Sequence, residues 1–114
     1  MMLTPLDFRE LGKSDLIPHA VIRKPVSYFA KQGARLVHDS DALDSFEGAA
    51  FALDGTLFAL MSRPGYPPDT TTVYLTRDFG ENVEKITALI RSILKALELA
   101  PDALVWERQQ DPDL

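Results

Sequence analysis

The sequence predicts an α+β fold: a mostly antiparallel sheet of about five strands, one long C-terminal helix on one face, and short N-terminal helices. Three observations lead there. Two apolar runs meet at Asp54-Gly55, a strong signal for a two-residue hairpin turn. A Thr-rich strand pattern, Thr70–Thr76, follows a loop carrying Pro64, Pro67 and Pro68. Residues 79–99 then repeat Val83, Ile86, Leu89, Ile90, Ile93, Leu94 and Leu97 at helical spacing.

In chain order, Thr4-Pro5-Leu6-Asp7 reads as a helix start, with a capping threonine, proline at the first position and an acid in the positive first turn. Phe8 and Leu11 give this short helix an apolar face. Residues 13–24 are ambiguous: Ser14-Asp15 suits a second cap, Pro18 interrupts it, and Ala20-Val21-Ile22 reads as a short extended piece. Pro25 opens another short helix, Val26–Gln32, which Gly33 stops.

Residues 34–38 form the expected first strand, and 46–53 and 56–62 the hairpin. The two-residue turn sets Leu53 opposite Thr56, Ala52 opposite Leu57, Phe51 opposite Phe58 and Ala50 opposite Ala59. One face then carries Phe51, Leu53, Phe58 and Leu60; the other carries Ala50, Ala52, Leu57, Ala59 and Met61. Both faces are apolar, so the hairpin belongs in the middle of the sheet with cover on both sides. Its alanine-lined face requires either the N-terminal helices or a second subunit.

Strand 70–76 shows a Thr/Tyr face that suits a position near an edge. The helix 79–99 presents an apolar arc of about 140°. At about 30 Å against strands of about 20 Å it either crosses the sheet diagonally or overhangs it, and an overhanging apolar end favours a dimer. Pro101 stops it, and 103–108 is the last strand. If strands 70–76 and 103–108 are parallel, their connection is a right-handed crossover.

A chain of 114 residues reads as one domain, 1–114, with 109–114 as a loose acidic tail. It contains no cysteine, which excludes disulfides and thiolate chemistry. No apolar run approaches the roughly 18 residues of a membrane span, and the opening MMLTPLDFRE does not read as a secretory signal. A cytoplasmic location is the expectation. The net charge of −5 is uneven: residues 36–58 hold Asp39, Asp41, Asp44, Glu47 and Asp54 and no base. Without a basic stripe, nucleic-acid binding is disfavoured. The acidic stretch reads as a solvated loop, or as a contact for a basic partner.

No catalytic signature is present, so no catalytic residue and no cofactor are assigned. Asp39, Asp41, Asp44 and Glu47 lack the spacing of a calcium loop, and His19 and His38 lack metal-ligand spacing, so no metal site is assigned. His38 reads as a surface histidine at a strand end rather than an acid–base group. The scattered glycines form no phosphate-binding pattern. Arg63 to Asp69 is a proline-stiffened loop in which Arg63 and Tyr66 are candidate anchors, against the plainer reading of a rigid connection. Trp106 reads as core or interface filler.

Two functions fit. The favoured one is a small acidic protein-interaction module, expected to be homodimeric, such as an inhibitor or immunity-like binder of a basic partner. Asp41, Asp44, Glu47, Arg63 and Tyr66 would make its contacts. The alternative is a small-molecule-binding protein or cofactor-independent enzyme. Its pocket would lie between sheet and helices, lined by Leu57, Met61, Tyr74 and Trp106, with His38, Asp41 or Arg77 at the rim. The segments FALDGTLFAL and TTTVYLTRD have the hairpin style of many small bacterial proteins, which assigns no functional residue.

Overall fold

The computed structural model describes residues 2–11, 16–33, 35–40, 45–62, 69–76 and 83–107. They form seven strands: β1 (Leu3–Leu6), β2 (Leu16–Ile22), β3 (Val37–Ser40), β4 (Ser45–Leu53), β5 (Thr56–Ser62), β6 (Thr71–Thr76) and β7 (Leu104–Glu107). One α-helix, α1 (Val83–Ala96), lies between β6 and β7. Three 3-10 turns cover Phe8–Leu11, Val26–Gln32 and Pro101–Ala103. The fold is therefore α+β on an antiparallel sheet, but with seven strands instead of about five and a helix that ends at Ala96 instead of 99.

The strands lie in the order β1-β4-β5-β6-β2-β7, with β3 also paired to β4. Strands β3 to β6 form the expected meander. The hairpin register places Leu53 opposite Thr56, Phe51 opposite Phe58 and Ala50 opposite Ala59. Asp54 and Gly55 both have positive φ, 50° and 86°, as the mirror-image hairpin turn requires. Asp54 also holds the N-terminus: its Oδ1 accepts a hydrogen bond from the Met2 amide at 2.8 Å.

The N-terminal segment departs from the helical expectation. Leu3–Leu6 pairs with β4 as a strand, Leu3 opposite Leu53 and Leu6 opposite Ala50, and only Phe8–Leu11 turns. The Thr-Pro-Leu-Asp start carries a local helix signal, but tertiary pairing along β4 supplies more backbone hydrogen bonds than two isolated helical turns would. Strand β3 pairs with the other half of the same side of β4, Val37 opposite Gly48 and Ser40 opposite Ser45. β1 and β3 thus lie end to end along one edge, with Ala49 falling between them.

A second departure is β2, which extends through Pro18 and inserts between β6 and β7. The register shifts between Pro18 and Ala20, and β7 reaches only Ala20–Ile22. Pro18 therefore sits at a bulge, beyond the reach of β7, where its missing amide disrupts no ladder on that side. The insertion moves β6 away from the edge that its threonines suggested, and all six of its residues are buried. β6 and β7 are both antiparallel to β2, so they are parallel to each other with β2 between them.

Helix α1 has 14 residues, so it is about 21 Å long and matches the strands. The overhang that favoured a dimer is absent from the described helix. Its closing turn explains why it stops at Ala96 and not at 99. The Leu99 amide bonds the Leu94 carbonyl at 2.9 Å, and the Glu98 amide bonds the Lys95 carbonyl at 3.1 Å. This is a Schellman closure, with Glu98 in the left-handed position at φ 59°.

The two faces carry separate cores. Against α1 pack Phe51, Leu53, Phe58, Leu60, Val73 and Leu75, joined by Phe29 of the second 3-10 turn. The other face holds Phe46, Ala50, Ala59, Met61, Tyr74 and Leu11, with Phe8 packed on them. The two N-terminal turns thus serve opposite faces. Gly48 makes the thin cover possible, because a Cβ there would lie 2.9 Å from the Phe8 ring. Ala50 and Ala59 are 0% exposed within the single chain, so their burial requires no second subunit.

Candidate functional site

Two neighbouring features stand out where β7 borders the sheet. β7 is the last strand in the order, and no described strand pairs with its outer side. Its register with β2 shifts between Leu104, opposite Ile22, and Trp106, opposite Val21. Leu104 packs against the helix-side core, whereas Val105 and Trp106 remain 48% and 47% exposed. An edge strand normally carries charge or proline where it meets water. Here two adjacent large apolar side chains are half-exposed on a strand whose outer side no described strand pairs.

Beside this edge lies a notch of about 260 Å³ between the β2–Val26 connection and the end of α1. Arg23, Lys24 and Tyr28 line it from the first segment, and Glu98, Leu99 and Asp102 from the second. The backbone holds both segments. The Arg23 amide donates to the Ala103 carbonyl at 2.7 Å, and the Thr71 hydroxyl donates to the Lys24 carbonyl at 2.6 Å. The ammonium groups of Lys24 and Lys31 lie 4.9 Å and 5.2 Å from the Tyr28 ring centroid, within cation–π range. Gln32 ties the second turn to the helix end: its Nε2 donates to the Leu97 carbonyl at 3.3 Å and reaches Glu98 Oε2 at 3.5 Å.

The notch keeps its opposite charges apart. No notch residue takes part in the Arg9–Asp7 or the His38–Glu47 ion pair. Glu98 also occupies a left-handed conformation that glycine adopts more easily, a local cost of about 1 kcal/mol or more.

The residues expected from the sequence fall elsewhere. Glu47 faces His38 across β3 and β4, with Nε2 and Oε2 3.8 Å apart. Asp41, Asp44, Arg63, Tyr66 and Arg77 lie outside the described residues. Met61 and Tyr74 are buried in the second core, with Leu57 partly buried against it. Trp106 stands at the β7 edge, apart from that cluster, and His38 is exposed on β3. The notch is lined by none of these.

Sequence reasoning missed Arg23, Lys24, Tyr28, Glu98 and Asp102, which come from segments some 70 residues apart. One signal was available: the helical pattern ends without a glycine, so another residue had to take the left-handed position. For the edge, the unbroken run Leu104-Val105-Trp106 was the clue, since successive strand residues cannot all face one core.

Among the described residues, no helix is long and apolar enough to cross a membrane, and no three histidine or carboxylate side chains gather as metal ligands. The fold and site define an α+β protein with an open apolar sheet edge beside a charged notch. In comparison with known proteins, no family model matches the chain, and no curated protein or solved structure is significantly similar to it.

Proposed function

We propose that this chain is a small protein-interaction module that pairs with a second copy of itself through the β7 edge. The observation that carries this reading is the exposure of Val105 and Trp106 on a strand with no described neighbour on its outer side. Strand addition supplies main-chain hydrogen bonds, and aromatic side chains supply apolar area at low entropic cost. The acidic segment holding Asp41, Asp44 and Glu47 is the surface offered to a basic partner, as an inhibitor or immunity-like binder would use it.

Sedimentation velocity across a concentration series tests the self-pairing. The native chain is expected to sediment as a dimer, and the Val105→Lys, Trp106→Lys double variant as a folded monomer. A native chain that remains monomeric throughout overturns the dimer. The acidic surface is tested separately, by converting Asp41, Asp44 and Glu47 to their amides. Binding to a basic partner is expected to weaken and to lose its salt dependence; unchanged binding removes the charge argument.

A further inference from the structure

We propose that the notch between the β2–Val26 connection and the end of α1 binds a small zwitterion of the amino-acid class. Its anionic end lies against Arg23 and Lys24, and its ammonium end against Glu98 and Asp102.

The charge layout supports this assignment. Basic and acidic side chains reach one notch from two segments, 23–28 and 98–103, and none of them closes an ion pair among the described residues. Such a lining presents two poles to a ligand with two poles. A lone anion would meet the acids, and a lone cation would meet the bases, so each is disfavoured by about as much as it gains.

The backbone adds to the same polarity. The acidic side follows the C-terminal end of α1, the negative pole of the helix, which favours an ammonium group. On the basic side, Lys24 stands over the Tyr28 ring, and both line the notch together with Arg23. An arginine offers a planar fork suited to a carboxylate. Between the poles, buried Leu99 and Ala103 give an apolar floor for a short methylene stem.

Size and rigidity set the class. A volume of about 260 Å³ lies just below the roughly 300 Å³ at which ligand pockets usually begin, which selects a small molecule or one end of a chain. The two segments are pinned through the Arg23–Ala103 and Thr71–Lys24 hydrogen bonds, so little ordering is required on binding.

The site does not depend on the edge reading: Val105 and Trp106 can be changed to lysine without touching a residue of the notch. The test is an amide NMR titration of the full chain with ε-aminocaproate, free L-lysine and glycyl-L-lysine, using hexanoate and hexylamine as single-charge controls. The zwitterions are expected to give saturable shifts at the amides of Arg23, Lys24, Glu98 and Asp102, and the controls to bind at least about tenfold more weakly. Stronger binding of glycyl-L-lysine identifies a peptide end as the ligand; stronger binding of lysine identifies a free amino acid.

Arg23→Gln and Asp102→Asn, both at exposed positions, are expected to weaken binding about tenfold each with unchanged thermal unfolding. The proposal is overturned if no zwitterion gives a saturable shift. It is equally overturned if a single-charge control matches the zwitterions, or if both variants bind as the native chain does.

Discussion

The sheet finishes its two edges differently. Along the outer side of β4 the edge is made of two four-residue strands, β1 and β3, laid end to end. It is broken near Ala49, carries Pro5 in one piece and the His38–Glu47 pair beside the other, and lies next to Phe8 over Gly48. Short, interrupted, proline-bearing and charged strands are the devices that keep edges from pairing with other chains. At the far side, β7 is also short and bulged, but its exposed side chains are Val105 and Trp106. One edge is built against strand addition and the other remains open to it. The difference teaches where to look for function: Ala50, Ala59 and Met61 of the alanine-lined face are buried within the chain, with Ala52 and Leu57 half-buried, so a second copy would act at β7.

The largest expected effect tests the closed side. Gly48→Ala brings a Cβ within 2.9 Å of the Phe8 ring and 3.2 Å of the Leu60 carbonyl oxygen. The turn must shift, at about 1–3 kcal/mol of stability in a urea unfolding curve. A cost near zero would mean that Phe8 is a loose lid and that the two sides are less different than described.

A smaller effect, of opposite sign, belongs to the notch. Glu98→Gly relieves the left-handed strain at the end of α1, and the chain should gain less than about 1 kcal/mol, because glycine's unfolded-state entropy offsets part of the relief. If the same variant also weakens zwitterion binding, the strain is held in place by a side chain that the notch uses.

The smallest effect on stability is expected at the open edge. Trp106→Lys should alter monomer unfolding by no more than about 0.5 kcal/mol, because the indole is half-exposed. A loss of several kcal/mol would show the side chain to be part of the core and would erase the contrast between the two edges.

Much of the middle of the molecule was legible in the sequence. Asp54-Gly55 set the register of β4 and β5, and that register sorted Phe51, Leu53, Phe58 and Leu60 from Ala50, Ala59 and Met61. These are local relations, carried by a turn and a period of two. Around Thr4-Pro5 and Pro18 the N-terminal segment was misread because its local signals point elsewhere, whereas Val26–Gln32 turns and stops at Gly33 as expected. Thr4-Pro5 resembles a helix cap and Pro18 resembles a break, yet both prolines lie in strands. Their partners, β4 and β6, stand some 45 to 60 residues away, and no local propensity encodes such a pairing.

The candidate site followed the same division. β7 was legible as a strand, but its place at an edge depends on the insertion of β2 between it and β6. The notch joins Arg23 and Lys24 to Glu98 and Asp102 only after that insertion, because the Arg23–Ala103 hydrogen bond extends the β2–β7 ladder. Composition showed an acidic chain, whereas this corner gathers Lys24 and Lys31 around one tyrosine ring.

The most direct test of the central claim, that β7 is the open side through which the chain pairs with itself, is amide hydrogen exchange of β7 at low and high protein concentration. The account predicts that those β7 amides that do not face β2 are poorly protected in dilute solution and gain protection as concentration rises, while β1 and β3 do not change. Protection of β7 that is the same at both concentrations, with the chain monomeric throughout, would contradict it.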